Sequence, residues 1–264
     1  MLQININKKL SLVAGIMLLL GIFCGTANAA AIHSVEEAVD RAGKQRMITQ
    51  RLLKSYAMLG MGMNYADPGG ELKAKTALFD QTLSDLEAMS INAEINESLK
   101  KNRELWKPIK QSLEMAPSKR QAVLLQNGLE NLLKSCHRTT VLISKASGSS
   151  AGKIVNISGR QRMLSQRLAS LYMLKSWGID DSGFQRKLQE SMSDFSKAQK
   201  TLEESSLSTP EIKSRLAKVK KAFSFFEIMA KTKSGRFSPL LINKMTETIL
   251  TEMDKVTHLY VEER

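Results

Sequence analysis

The chain is poor in cysteine, histidine and aromatic residues. Its two cysteines are Cys24 and Cys136, and Cys24 lies in an N-terminal segment that we expect to be removed, so no disulfide can form within the mature chain. The three histidines form no His-x-x-x-His or Glu-x-x-His pair, which argues against the usual helical zinc and di-iron sites. No nucleophile-elbow or phosphate-loop pattern occurs either. The sequence therefore predicts no catalytic residues, no metal site, no cofactor and no enzyme activity.

Long apolar runs are also scarce. The most apolar stretch, residues 10–23, has about 14 residues, short of the roughly 20 that a membrane-spanning helix needs. It follows the basic pair Lys8-Lys9 and precedes an Ala-Asn-Ala sequence at 27–29, which is the order of parts in a secretory signal. We predict that residues 1–29 are a cleaved signal peptide and that the mature protein is periplasmic. Retention of this segment as an uncleaved anchor is the alternative.

Acidic residues are outnumbered by basic ones. Without the two lysines of the signal segment, 37 Lys and Arg stand against 26 Asp and Glu, a net charge of +11. Such a surface attracts small anions, anionic lipid headgroups or an acidic partner protein. Export and the low aromatic content, 5% of the residues, argue against nucleic acid as a partner.

Signals for β-strands are missing, and helical periodicity extends through almost the whole mature chain. Gly, Pro, Ser and Asn clusters divide it into helices. Pro108 should kink the third helix or end its regular part. The predicted helices cover about 34–63, 71–89, 93–114, 118–146, a motif helix that ends at 178, 184–205, a segment beginning at 210, and 239–262.

A near-exact internal repeat organises the chain. Residues 43–51, GKQRMITQR, recur 116 positions later as residues 159–167, GRQRMLSQR. The same offset aligns Phe79 with Phe195 and Leu124-Leu125 with Leu240-Leu241. We therefore predict an all-α fold of two tandem up-down-up-down four-helix bundles related by internal duplication. The predicted modules are residues 30–147 and 148–264, joined at the Ser/Gly-rich stretch 147–152.

Each motif helix has two buried-looking faces. At about 100° per residue, Gly159, Arg162 and Gln166 fall within an arc of roughly 60°. The first copy places Gly43, Arg46 and Gln50 on the same arc, while an apolar stripe of Ile48, Leu52 and Leu59 lies opposite. A glycine lets another backbone approach, and arginine supplies a planar, charged donor. This combination suits a small anion between two helices, although the same side chains could only cross-link helices or lie in solvent.

The doubled motif resembles that of the PilJ-type, NarX-like sensor domain family. This family comprises exported ligand-sensing modules of nitrate/nitrite sensor kinases and of the type IV pilus chemotaxis transducer. The resemblance covers essentially the whole mature chain as two tandem modules. It implies a four-helix sensor in which two motif helices meet on a symmetry axis and hold an anion.

Carried onto this chain, the resemblance implies a ligand site at Gly43, Arg46, Gln50, Gly159, Arg162 and Gln166. Gln45, Arg51, Gln161 and Arg167 are expected to support it. If the motif helices pair within one chain, Arg46 and Arg162 should flank one anion and repel each other in its absence. The glutamines follow the pilus-transducer variant of the motif, so nitrate or nitrite is only one candidate ligand.

We therefore expect a non-catalytic sensor that binds a small anion or polar ligand and acts through a separate membrane receptor or sensor kinase. A pseudo-dimer within one monomer and a homodimer both remain open. The alternative is a structural or partner-docking bundle without any small-molecule ligand. In that case the glycine faces would be packing contacts only.

Overall fold

The computed structural model of the protein describes residues 32, 34–148, 150–179, 182–231 and 238–262. The predicted signal segment and His33 lie outside this part of the chain. The described residues form eight helices and no strand. The helices are α1 (Val35–Gly60), α2 (Pro68–Ala88), α3 (Ala93–Leu113), α4 (Lys119–Ala146), α5 (Ser150–Ser176), α6 (Ser182–Glu204), α7 (Pro210–Lys231) and α8 (Pro239–Glu262).

The helix ends follow from local chemistry. Ser34 caps α1 by accepting a hydrogen bond from the Glu37 amide at 3.0 Å. Prolines open α2, α7 and α8, where the missing N–H is not needed. Gly62 and Gly178, at equivalent positions after α1 and α5, adopt left-handed φ values of 68° and 74°. The all-α prediction is confirmed.

Three details differ from the sequence-based expectation. Helix α1 ends at Gly60 rather than Met63, because the chain turns at Gly62. Helix α3 runs through Pro108 and ends at Leu113, so the proline does not end it. Leu59, expected in the apolar stripe, is 37% exposed.

The chain forms two four-helix bundles in tandem. In the first bundle, α1 packs against α2 and α4, and α3 packs against α4. In the second bundle, α5 packs against α6 and α8, and α7 packs against α8. Short connections make successive helices antiparallel within each bundle. The two bundles lie side by side in one compact unit, residues 31–264.

The repeat offset changes along the chain. It is 116 in the first two helices of each half, where Phe79 and Phe195 are both fully buried. In the last two helices it is 117, because buried Leu125 corresponds to buried Ile242 rather than to Leu241, which is 40% exposed. The extra residue lies in the α6–α7 connection, 205–209, which is one longer than 89–92. The expected match of Leu124-Leu125 to Leu240-Leu241 is therefore wrong by one residue.

The two halves meet mainly through α1 and α5, which we call the seam. Gly43 lies against Gly159, and further along Gly60 lies against Trp177. The contacts advance together along both helices, so α1 and α5 run parallel. Among the described helices, none is both long enough and apolar enough to cross a membrane.

Candidate functional site: the seam between the motif helices

Two glycines mark the closest approach of α1 and α5. A Cβ atom added to Gly43 would lie 3.8 Å from the Cα atom of Gly159, and the reverse distance is the same. The absence of both side chains leaves space beside the backbones. The expected contact between the two motif faces is therefore present within one chain.

Arg46 and Arg162 fill the space beside these glycines. Their side chains point back toward the N-terminus of each helix, as helical side chains do. The Nη2 atoms of both arginines lie 3.2–3.4 Å from the position of a Cβ atom on either glycine. Arg46 is 0% exposed and Arg162 is 1% exposed. The seam thus brings two buried guanidinium groups to one glycine pair.

Arg162 is neutralised by two carboxylates. Its Nη1 donates to Asp254 Oδ1 at 2.8 Å, and its Nη2 donates to Asp40 Oδ1 at 2.6 Å. Burial opposes the charge of Arg162, but the ion pairs with Asp40 and Asp254 outweigh it and raise its pKa. Burial also disfavours the charged form of Asp40, yet Arg162 and Lys44 hold the pKa of that carboxyl below its usual value. This half of the seam carries its own counter-ions.

Arg46 has only neutral partners. Its Nη1 bonds His137 Nδ1 at 3.1 Å, and its Nη2 donates to the backbone carbonyl of Asn156 at 3.2 Å. No carboxylate among the described residues lies within ion-pair distance of it. Burial, followed by the positive charges of Arg162 and Arg160, lowers the pKa of Arg46 to about 9. Arg46 is therefore a buried cation without a counter-ion in the part of the chain that the structure describes.

The partners of the two arginines occupy equivalent positions. Asp40 corresponds to Asn156 at an offset of 116, and His137 corresponds to Asp254 at an offset of 117. Each arginine therefore reaches the same two places, one on the opposite motif helix and one on the fourth helix of its own half. The geometry is nearly two-fold symmetric, but the charges are not.

Asp40, Asn156, His137 and Asp254 were not among the predicted site residues. Asp40 and Asn156 stand three residues before each motif glycine, on the same helical face, so the spacing could have indicated them. His137 is an exposed residue that looked unmatched under the offset of 116. Partial burial, then Arg46 and Arg160, lowers its pKa to about 4, so it is neutral at pH 7 and can accept from Arg46.

The motif glutamines lie away from the guanidinium groups. Gln50 and Gln166 are buried one helical turn after Arg46 and Arg162. The guanidinium groups lie in the other direction, beside the glycines one turn before the arginine backbones. Gln50 Oε1 accepts from Ser170 across the seam at 3.4 Å, and Gln166 Nε2 donates to the Thr246 carbonyl at 3.4 Å. Of the six predicted ligand residues, the structure thus brings the two glycines and two arginines together.

Gln45 and Gln161, expected to support the site, are both fully buried. Gln161 Nε2 donates to the Phe195 carbonyl on α6 at 3.1 Å and approaches Gln199 Oε1 at 3.4 Å. It therefore lies inside the second bundle rather than at the seam. Neither amide atom of Gln45 has a hydrogen-bond partner among the described residues.

Arg51 and Arg167 connect the two halves crosswise. Arg51 on α1 donates to Glu247 on α8 at 2.8 Å, and Arg167 on α5 donates to Glu130 on α4 at 2.9 Å. Glu130 and Glu247 are equivalent at an offset of 117. Lys54, 1% exposed, also pairs with Glu247. Each second arginine thus ties its motif helix to the opposite half.

Two clefts open beside the buried arginines. One, of about 590 Å³, lies on the Arg162 side and is lined by Lys44, Asp40 and Asp254 among others. The other, of about 200 Å³, lies on the Arg46 side and is lined by His137 and Arg160 among others. The first cleft reaches Arg162 itself, whereas the second reaches His137 and is separated by it from Arg46, which is 0% exposed.

Comparison with known families agrees with this doubled architecture. The sequence model of PilJ, described as the type IV pili methyl-accepting chemotaxis transducer N-terminal domain, matches residues 29–132 and 143–226. These two segments cover well over half of the chain and contain both motif copies. The chain belongs to the PilJ family. No curated protein and no solved structure matches it.

The PilJ match gives the seam a functional context. Each matched segment includes one motif helix, so α1 and α5 are the equivalent helices of two PilJ-type modules. A PilJ module is the N-terminal part of a chemotaxis transducer, which indicates a signalling role as a sensor. The position where two such modules meet is accordingly the strongest candidate for signal reception in the described part of the chain.

Proposed function

We propose that the protein is a non-catalytic sensor that binds a small anion at the seam of α1 and α5. Nitrate and nitrite are candidate ligands, and the periplasm is the proposed site of action. The observation that carries the proposal is the pair of buried guanidinium groups at the Gly43–Gly159 contact, of which Arg46 has no carboxylate partner among the described residues. A buried charge without a counter-ion favours an anion that can reach it.

Anion binding would change how the two halves pack. Arg46 and Arg162 repel each other, and this repulsion contributes to the lowered pKa of Arg46. An anion beside Arg46 reduces the repulsion and shifts the population toward a closer pose of α1 and α5. The crosswise ion pairs of Arg51 and Arg167 lie further along the seam and would carry the shift to α8 and α4. A separate membrane receptor or sensor kinase would read it.

A second candidate function is a partner-docking bundle without a ligand. It is supported by Arg162, whose hydrogen bonds to Asp40 and Asp254 are those of a structural cross-link. Under this alternative both arginines would only hold the halves together. No anion would then stabilise the protein specifically.

Thermal melts and calorimetry with nitrate, nitrite, sulfate and chloride at constant ionic strength separate the two. A specific anion should raise the melting temperature, and the rise should increase with anion concentration. At 100 times its Kd the anion should add about 2.7 kcal/mol to the free energy of unfolding. Arg46→Gln should abolish the rise. Arg138→Gln is the matched control, since Arg138 lies on α4 with a side chain 71% exposed.

A flat response of the wild-type protein to all four anions rejects the sensor proposal in this form. Capture of a membrane protein by the same wild-type preparation would then support the docking alternative. An equal loss in Arg46→Gln and Arg138→Gln would also count against the seam, because general surface charge would explain it.

A further inference from the structure

The Arg162 side of the seam shows what the Arg46 side lacks. At Arg162, one carboxylate oxygen lies on Nη1 and another on Nη2, at 2.8 and 2.6 Å. These oxygens come from Asp254 and Asp40, which belong to different helices. The pair satisfies the outer edge of the guanidinium as a bidentate oxyanion would. The counter-ions of Arg162 are therefore side chains of the protein itself.

The Arg46 side has the same geometry with neutral groups. His137 replaces Asp254 on Nη1, and Asn156 replaces Asp40 next to Nη2. Asn156 contributes only its backbone carbonyl to Arg46, and its buried side-chain oxygen has no hydrogen-bond partner among the described residues. The Nε atoms of Arg46 and Arg162 are both buried without a partner there, so the two sides differ only in the groups on Nη1 and Nη2. Two places that hold carboxylates on one side therefore hold no negative charge on the other.

The local charge count indicates which valence of anion the Arg46 side favours. Around the glycine pair the cations are Arg46, Arg162 and Lys44, and the carboxylates are those of Asp40 and Asp254. The nearby Arg160 is already paired with Asp194 at 2.6 Å. One positive charge is left over, and it lies on Arg46. One negative charge would bring the net charge of these groups to zero, whereas a dianion would leave one negative charge in excess.

His137 alone separates Nη1 of Arg46 from a solvent-filled cleft in the described part of the chain. The exposed imidazole lines the 200 Å³ cleft, while its Nδ1 contacts Arg46. The charged side chains that also line this cleft are three basic and three acidic ones: Lys134, Arg160, Arg167, Glu130, Glu190 and Asp194. Rotation of the His137 side chain toward solvent would open Nη1 of Arg46 to the cleft. The cost is one hydrogen bond between an arginine and a neutral ring, and the gain is a charge-assisted bond to the anion.

We propose that the seam takes one monovalent oxyanion per chain, on the Arg46 side only, in the place that the Asp40 and Asp254 carboxylates occupy at Arg162. This inference rests on the proposed function and narrows it. The ligand class is a small ion with two oxygens on one edge, such as nitrate, nitrite or a short carboxylate. Sulfate, as a dianion, should bind more weakly.

The test exchanges the residues that contact Arg46 for those that contact Arg162, and the reverse. His137→Asp with Asn156→Asp copies the Arg162 environment onto Arg46, and nitrate binding measured by calorimetry should weaken at least about tenfold. This variant should also melt at a higher temperature without nitrate, because Arg46 gains internal counter-ions. Asp40→Asn with Asp254→His makes the reverse exchange. It should raise the stoichiometry from one nitrate per chain to two.

The control for the first exchange is Asn96→Asp with Asn127→Asp, which adds the same two negative charges at exposed positions on α3 and α4. It should bind nitrate nearly as the wild type does. Equal weakening in the control would overturn the inference, as would unchanged binding in His137→Asp with Asn156→Asp. A wild-type protein that binds no anion at all rejects the proposed function itself, so the two failures are distinguishable.

Discussion

Arg46 and Arg162 offer a sharp test of the electrostatic asymmetry, because they share a motif position, a side chain and complete burial. We predict that Arg46→Met raises the free energy of unfolding in an anion-poor buffer and that Arg162→Met lowers it. The fall of the Arg46 pKa to about 9 corresponds to about 5 kcal/mol against the charged form. Hydrogen bonds to His137 and Asn156 offset part of this cost. A net gain of about 1–2 kcal/mol is expected for Arg46→Met.

Arg162→Met removes the partner of two carboxylates. The Asp40 side chain is only 15% exposed and keeps Lys44 as a partner, whereas Asp254 is 48% exposed and regains water. We expect a loss of about 2–4 kcal/mol, most of it from Asp40. For a chain of this size, each kcal/mol moves the melting temperature by about 2–4 °C. Urea unfolding followed by circular dichroism measures both changes, and losses of equal size in the two variants would refute the reasoning.

Three further predictions concern other parts of the seam. Gly60→Ala should cost about 1–3 kcal/mol in urea unfolding, since its Cβ would lie 2.1 Å from the Trp177 ring; a neutral result would contradict this contact. Glu247→Gln should cost about 2–4 kcal/mol in the same assay, because it leaves the buried ammonium of Lys54 unpaired. The stability of the wild type relative to His137→Gln should fall as the pH drops from about 6.5 to about 4, because His137 takes up its proton at a higher pH in the unfolded chain than in the folded one. A difference in melting temperature between the two proteins that does not change with pH would argue against the contact of His137 with Arg46.

The fold and the pairing of the motif faces could be predicted from sequence because both depend on periodicity. Gly43 and Gly159 interrupt helices that are otherwise well supplied with side chains, and the arginine three residues later lies on the same face. A helix with one apolar face and one glycine-arginine face needs two neighbours. The repeat supplies a second such helix, so the motif predicts that two of these faces meet; the choice between one chain and two was open from the sequence, and the structure places α1 against α5.

The counter-ions could not be predicted, because they depend on register between distant helices. His137 and Asp254 are equivalent only after a one-residue change of offset, which is set by the length of the α6–α7 connection. A constant offset pairs His137 with a buried methionine, Met253, and hides the relation. The contact of Gly60 with Trp177 is equally invisible, since neither residue repeats at its equivalent position. Such contacts are specified by three-dimensional packing rather than by a local pattern.

The asymmetry of the seam also explains what a fused pair of modules can do that a symmetric dimer cannot. In a homodimer each substitution occurs on both sides of the two-fold axis, so a carboxylate that neutralises one arginine neutralises both. In one chain, Asp40 can differ from Asn156 and Asp254 from His137. One arginine is then fixed by internal ion pairs and holds α1 and α5 in register, while the other has no carboxylate partner among the described residues and, under the proposed function, keeps its charge for a ligand. If the proposal holds, the first arginine makes the seam stable without an anion, and the second makes the packing of α1 against α5 depend on one.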